Sequence, residues 1–378
     1  MIVHGKIKIL LVSGIFYPDV GGPAIHVRKI AEKLTKNNYS IVVVAYGDPL
    51  ENIDFGFKVI YISRRHFFLL RWVLFTLAVF RESIGAKLYY AFNLTTAGIP
   101  VFLSGKLTGK PIFIRVAGDP IWERTVESGR RFISFLNYYK EGLFSKDKPL
   151  LFAIIKFVLP KFDRIIYYSP ILRDVYVKYY NVPIEKTEII YSPVFKKQTA
   201  TTAGDYIIFG GRFVGYKNLP LVIKAFDNFH KKTGKGRLLL VGRGPDANQL
   251  KDLIDSLPSK NAVEIMPSVP QDKLFDLISG SRLGIGPALT EFNPNFILEC
   301  LSFGKPVLLS RENGLSINLP DEFLVDPTNQ NELEDRFEKM FDDVYYSNIL
   351  KSVDSLEMNQ TWEKVVNRHL ELIEEEIK

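Results

Sequence analysis

Two glutamates, Glu291 and Glu299, stand eight positions apart in the run EFNPNFILECLSFGKPV, with Pro294 between them. Upstream, GGRFVGYKN carries Arg212 and Lys217, five positions apart. Guanidinium and ammonium groups grip phosphate oxygens, and carboxylates accept hydrogen bonds from hydroxyls. The four side chains therefore suit a ligand with hydroxyls at its ends and a diphosphate in its middle. The acidic run also reads as a helix start. Asn293 suits the N-cap, Pro294 the first helical position, and Gly304 with Pro306 the stop. The open N–H groups of Asn295, Phe296 and Ile297 then lie at the positive end of the helix dipole, where an anion is favoured. Glu291 falls just outside that helix, and Glu299 faces out from its second turn. A surface helix with two solvated acids, and a loop with two solvated cations, fit the same residues.

These groups need a scaffold. SRLGIGPAL before the acidic run and PVLLS after it read as short buried strands, giving a strand–helix–strand unit. Strands and helices alternate along most of the chain, from KIKILLVS, AIHVRKIAEKL and SIVVVAYG onward. Such alternation predicts α/β architecture with parallel, doubly wound sheets covered on both faces. The pattern lapses at SPVFKKQTATTAGDY, which places a boundary near residues 195–204. The expected organisation is a first domain at 1–197, a second at 204–358, and a last helix within 359–378 long enough to return to the first. Ligands of open parallel sheets bind beyond the strand carboxyl ends, so two facing sheets imply a cleft between domains.

Three further stretches carry polar chemistry. Gly21 and Gly22 in FYPDVGGPAIHV precede a helix and suit a loop packed closely on a ligand, although a plain strand-to-helix turn fits as well. RVAGDPIWERT ends a strand with Asp119, Trp122, Glu123 and Arg124, a reasonable sugar-contact group. Asp119 also suits a helix N-cap with Pro120 in the first turn. VGRGPDANQL holds Gly242, Gly244 and Ala247, with Glu264 following, a dinucleotide fingerprint that keeps an oxidoreductase in view. It sits two strands into its domain rather than opening it, which counts against that reading.

At 378 residues, 47% hydrophobic and 24% charged, the chain can bury two ordinary cores. Its single cysteine, Cys300, excludes an intrachain disulfide and fits a reducing compartment. The start lacks the long apolar run of a signal peptide, and the apolar segment Phe67–Phe80 is too short and, with Arg71, too charged to span a bilayer. A cytoplasmic protein is expected. Residues 1–197 hold 29 Lys+Arg against 15 Asp+Glu, and residues 198–378 hold 20 against 27. A basic first half suits an anionic membrane surface or a phosphorylated partner. No helix-turn-helix, zinc-finger or RNP pattern accompanies the charge, so nucleic acid is not expected. No Asp-x-Asp occurs and the five histidines lack metal-ligand spacing, so neither metal nor cofactor is expected.

Taken in order, GGPAIHVRKIAEKL, YSPILRDVYVKYYNVPIEKTEIIYSPV, GGRFVGYKNLPLVIKAF, LLLVGRGPDANQLKDLI and EFNPNFILECLSFGKPV resemble the retaining glycosyltransferases of family 4 along nearly the whole chain. The resemblance implies the GT-B fold, with two facing Rossmann-like domains and a cleft between them. It also explains the Gly-x-Gly-Pro loop without a nicotinamide. By position it implies that Arg212 and Lys217 hold the diphosphate of a nucleotide sugar and that Glu299 binds the ribose hydroxyls. Glu291 would contact the transferred sugar as a catalytic residue, with Asn293, Asn295 and Phe296 beside sugar and phosphate. Gly21 and Gly22 would approach the diphosphate from the other domain. Retention by same-face attack would not require either glutamate as nucleophile, unlike the paired carboxylates of retaining glycosidases.

Two departures stand out. Ala117 occupies the place where many relatives carry a histidine, for which Asp119 is the suggested replacement. The usual glycine-rich stretch between the glutamates reads Phe-Asn-Pro-Asn-Phe, which alters the sugar pocket. The acceptor implied is a glycan or lipid-linked molecule in cell-surface polysaccharide or glycolipid synthesis, docked on the basic first domain. There RRHFFLLRWVLF and the stretch from Arg130 to Phe162 mix aromatics, leucines and cations, which suits peripheral contact with the inner face of a membrane. Snorkelling lysines on helices packed against a sheet fit these segments too. A nucleotide-sugar epimerase or hydrolase of the same fold, and a non-catalytic nucleotide-sugar-binding protein, are the alternatives.

Overall fold

The computed structural model describes residues 6–19, 22–48, 53–194 and 204–377. Along the chain run β1 (Lys8–Ser13), α1 (Gly22–Lys36), β2 (Ser40–Tyr46), β3 (Lys58–Ile62), α2 (Phe68–Ser83), β4 (Ala86–Ala91), α3 (Gly98–Thr108) and β5 (Ile112–Val116). Next come α4 (Pro120–Glu127), α5 (Phe135–Lys140), α6 (Phe144–Asp147), α7 (Pro149–Val158), β6 (Arg164–Tyr167), α8 (Pro170–Tyr180) and β7 (Thr187–Ile189). After residue 204 follow β8 (Tyr206–Arg212), α9 (Leu219–Thr233), β9 (Arg237–Arg243), α10 (Ala247–Asp255), β10 (Val263–Met266), α11 (Gln271–Ser279) and β11 (Leu283–Gly286). The chain closes with α12 (Asn295–Ser302), β12 (Val307–Ser310), β13 (Leu324–Val325), α13 (Gln330–Met340), α14 (Asp343–Asp354) and α15 (Trp362–Ile377).

Two compact units result. Unit 1 takes Met1–Ile121, Phe144–Tyr191 and Trp362–Lys378; unit 2 takes Trp122–Leu143 and Ser192–Thr361. Unit 1 holds a seven-stranded sheet in the order β3-β2-β1-β4-β5-β6-β7, and unit 2 a six-stranded sheet in the order β10-β9-β8-β11-β12-β13. Every pairing within both sheets is parallel. Central strands such as IVVVAY and LLLV are buried on both faces, which is why they read as continuous apolar runs and not as alternating ones. In each sheet the order reverses beside the first strand, at β1/β4 and at β8/β11, creating the crevice where such sheets take ligands.

The sequence-based boundaries shift by a few residues at Ser192 and Trp362, and one segment changes unit. Residues 122–143, assigned to the first domain, belong to unit 2. The Trp122 ring packs 5.4 Å from Tyr216 and 5.8 Å from Phe292, and Phe135 lies 4.9 Å from Phe292. The Phe135 N–H donates to Thr290 Oγ1 at 2.9 Å. The Glu312 carboxylate accepts from Ser134 Oγ at 2.8 Å and from the Leu136 N–H at 2.9 Å. Aromatic packing and buried backbone hydrogen bonds together outweigh sequence order in deciding where this segment sits. The linker expected at 195–204 lies, as far as residue 203, outside the described residues.

The α9 start shows how local sequence positions the site. Asn218, immediately before α9, has φ of 50°, a left-handed conformation that asparagine tolerates better than most residues. Its side-chain amide donates to the Pro327 carbonyl, locking the turn. Pro220 sits in the first turn of α9, and Val222, Ile223, Phe226 and Phe229 recur at helical spacing to bury one face in the unit 2 core. The loop between β8 and α9, which bears Lys217, is thus held at both ends.

Candidate functional site

At the β8/β11 reversal, unit 2 encloses a cavity of about 210 Å³. Arg212, the last residue of β8, lines it with Lys217 and Tyr216 from the following turn. Glu291 lines it from the segment between β11 and α12, and Asn295 and Phe296 from the first turn of α12. Five residues singled out in the sequence therefore meet at one place. Glycine at 210 makes room for one of them: a Cβ there would lie 2.6 Å from the Phe296 ring, too close for any side chain without displacement.

The charges in this cavity are paired. Lys217 Nζ donates to Glu291 Oε1 at 2.6 Å, with both side chains largely buried. Burial alone lowers an ammonium pKa, but the Glu291 carboxylate more than offsets it and holds Lys217 above its ordinary value. Arg212 donates to Glu127 Oε1 at 3.2 Å and to the Tyr216 hydroxyl at 3.1 Å. The Tyr216 phenol is pushed upward by burial, so it stays neutral and can accept from Arg212. Lys217 also sits 5.2 Å from the Tyr216 ring centre.

Helix α12 differs from expectation in two ways. It begins at Asn295, with Pro294 as the extended flanking residue (φ −73°, ψ 112°), so Asn293 is not its N-cap. The Asn293 side-chain nitrogen and oxygen are both buried and have no hydrogen-bond partner among the described residues. A buried amide left unpaired costs free energy, so this side chain calls for a ligand or water partner. Glu299 is buried, not facing out: it is 8% exposed and accepts from Gln271 Nε2 at 3.3 Å. Burial pushes its carboxyl up to about 7, partly opposed by the Gln271 hydrogen bond. Asn293 and Glu299 flank the cavity-lining residues along the chain but do not line it themselves.

The remaining expectations fall away from this cavity or outside the described residues. Gly21 lies outside them, and Gly22 is the first residue of α1. Asp119, read as a catalytic acid, is fully buried in unit 1. Its carboxylate accepts from the Ile121 N–H at 3.0 Å and from the Tyr176 hydroxyl at 2.8 Å. One oxygen thus caps α4 and the other ties it to α8. Trp122 is buried as well, and packs in unit 2.

The fingerprint glycines have a packing role. A Cβ on Gly244 would lie 2.1 Å from the Phe213 carbonyl oxygen, and one on Gly242 would lie 1.9 Å from that of Gly211. They permit the ends of β8 and β9 to approach closely. Among the described residues, no group of three or more His, Cys, Asp or Glu side chains is placed to hold a metal ion.

Three participants were not found from sequence. Tyr216 lies inside the GGRFVGYKN loop and could have been included with its neighbours. Glu127 and Gln271 carry no local signal, because each meets its partner only through folding, 85 and 28 residues away respectively.

Two doubly wound parallel sheets, each with its strand reversal, are the architecture of the GT-B fold. An Anabaena protein, HepE, solved in complex with UDP-glucose, superimposes with a TM-score of 0.73 at 15% identity, covering 98% of this chain and 100% of that one. The "Glycosyl transferases group 1" family matches residues 193–352, and "Glycosyltransferase Family 4" matches residues 20–195. The chain belongs to the family 4 glycosyltransferases. An uncharacterized glycosyltransferase of Methanocaldococcus jannaschii is 23% identical over 82% of this chain and 81% of its own. A phosphatidylinositol N-acetylglucosaminyltransferase component from Arabidopsis thaliana is 21% identical over 85% of this chain and 71% of its own.

Proposed function

We propose that the chain transfers a glycosyl group from a nucleoside-diphosphate sugar to a glycan or lipid-linked acceptor, with retention of configuration at the anomeric carbon. The observation that carries this reading is the cavity where Arg212, Lys217, Glu291 and the start of α12 converge. Arg212 and Lys217 hold the diphosphate, and the N–H groups of Asn295, Phe296 and Ile297 complete its oxygens. Glu299 accepts hydrogen bonds from the ribose hydroxyls. Glu291, already fixed by Lys217, accepts from a hydroxyl of the transferred sugar, and Asn293 gains the partner it lacks. The anomeric carbon–oxygen bond to the diphosphate breaks as the acceptor oxygen bonds to the same face. The acceptor proton passes to the departing phosphate oxygen, whose charge is met by the two cations and the helix end.

The family membership supports glycosyl transfer, and the UDP-glucose complex of HepE supports a nucleotide-sugar donor. The name of the Arabidopsis relative supports a lipid acceptor. The test is incubation with a panel of nucleoside-diphosphate hexoses and a lipid extract, followed by NMR of the product. An α-linked product from an α-linked donor is expected, formed only with acceptor present. Inverted product overturns the retaining mechanism. Free sugar released without acceptor makes the chain a hydrolase, and donor bound but unchanged makes it a binding protein.

A further inference from the structure

We propose that Glu127 is a release residue: its carboxylate takes over Arg212 as a nucleoside diphosphate leaves and so expels the product. This rests on the donor-site reading above and adds to it how that site is emptied. The two cations of the cavity are paired unequally. The Lys217 and Glu291 side chains are 16% and 9% exposed and 2.6 Å apart, a pair sheltered from exchange. Those of Arg212 and Glu127 are 60% and 28% exposed and 3.2 Å apart, so their bond breaks and reforms easily. Lys217 is therefore the fixed cation and Arg212 the exchangeable one. Arg212 keeps a second partner, the Tyr216 hydroxyl at 3.1 Å, which holds the guanidinium in place while its anionic partner changes.

The backbone carrying Glu127 stays at the site when its side chain lets go. Glu127 closes α4, and the chain is anchored to unit 2 on both sides of it. Before it, the Trp122 ring packs on Tyr216 and Phe292. After it, the Phe135 N–H donates to Thr290 Oγ1, and Ser134 Oγ donates to the Glu312 carboxylate. Between these anchors the Val126 carbonyl lies against the turn that bears Lys217. A Cβ on Gly215 would be 3.2 Å from that oxygen, tighter than ordinary van der Waals contact, so glycine lets the end of α4 rest there. Glu123, one helical turn earlier, adds its negative charge to the field at Arg212 and Tyr216. Charge explains why the product needs expelling. Once the sugar bond has broken and the acceptor's proton has passed on to water, the diphosphate carries one more negative charge than it did in the donor. Two cations and a helix end hold it more firmly than the donor. A phosphate that moves off Arg212 is recaptured unless another anion fills the place, and Glu127, attached to the site, arrives without diffusion.

The test is stopped-flow release of fluorescently labelled UDP, GDP and ADP, chased by excess unlabelled nucleotide, from the full-length wild type and Glu127→Gln. The variant should release the nucleotide that binds up to about fivefold more slowly, the limit for an exposed ion pair, with its association rate and melting temperature close to wild type. In an Arg212→Ala background the same substitution should change nothing, because Glu127 acts through that guanidinium. Equal or faster release by Glu127→Gln overturns the proposal, and so does an effect that persists without Arg212. A gain in affinity carried wholly by faster association overturns it too, since Glu127 would then be a barrier to entry. Absence of nucleotide binding by the wild type overturns the donor reading and this proposal together, whereas binding with unchanged release overturns only this one.

Discussion

Lys217 Nζ and Glu291 Oε1 lie 2.6 Å apart, joining the loop after β8 to the segment before α12. With both side chains largely buried, removing one partner strands a charge in a poorly solvated place. Lys217→Met should cost about 3 kcal/mol in urea unfolding, whereas Lys217→Met/Glu291→Leu should cost clearly less than the two single changes added. Strict additivity in this double-mutant cycle would mean that the pair does not organise the cavity.

The contact between Arg212 and Glu127 leads to the opposite expectation. Glu127 sits where an anion would pair with Arg212, so a diphosphate must compete with it. The Arg212 side chain is 60% exposed, and such a pair is worth ~0.2–1 kcal/mol. Glu127→Gln should therefore tighten nucleoside-diphosphate binding by up to about fivefold in calorimetry. Weaker binding in this variant would show that Glu127 supports the site instead of competing for it.

Glu299 gives the site a pH dependence. Its carboxyl is pushed by burial to about 7, above the ordinary carboxylate range. In the free protein the folded state holds this proton more tightly than the unfolded chain. The stabilising contribution is complete below the unfolded value, and it is lost as pH rises through about 7. Ribose hydroxyls donate to the ionised form, so nucleotide binding runs the other way. Affinity should drop by about tenfold one pH unit below the Glu299 value, and flatten above it. Glu299→Gln should bind more weakly at high pH and lose the dependence in this window. A slope that survives the substitution would assign the titration to another group.

Several of these residues could be read from local sequence. Arg212, Lys217 and Glu291 follow strand ends, and the carboxyl ends of parallel strands are where ligands are held. The strand–helix alternation was equally local, because doubly buried strands must be apolar throughout. Contacts across long separations left no such trace. Glu299 was expected to face solvent, yet the fold covers it and sets Gln271 against it. Asp119 was legible as a helix cap, but its bond from Tyr176, 57 residues on, was not. Trp122 and Phe135 follow a unit 1 strand but pack on Tyr216 and Phe292. In α12, the Asn293–Pro294 start signal gave way by one residue, because Pro294 is held extended at the cavity wall.

The central claim is that the unit 2 cavity holds a nucleoside diphosphate. The most direct measurement is a thermal-shift panel of UDP, GDP, ADP, their sugars and NAD on the wild type and on Arg212→Ala. A ligand that binds only the folded state raises the melting temperature by mass action. One diphosphate series should stabilise the wild type, and the variant, altered at an exposed side chain, should lose most of that shift while keeping its own melting temperature. Stabilisation by NAD alone, by no nucleotide, or equally in the variant would contradict the assignment.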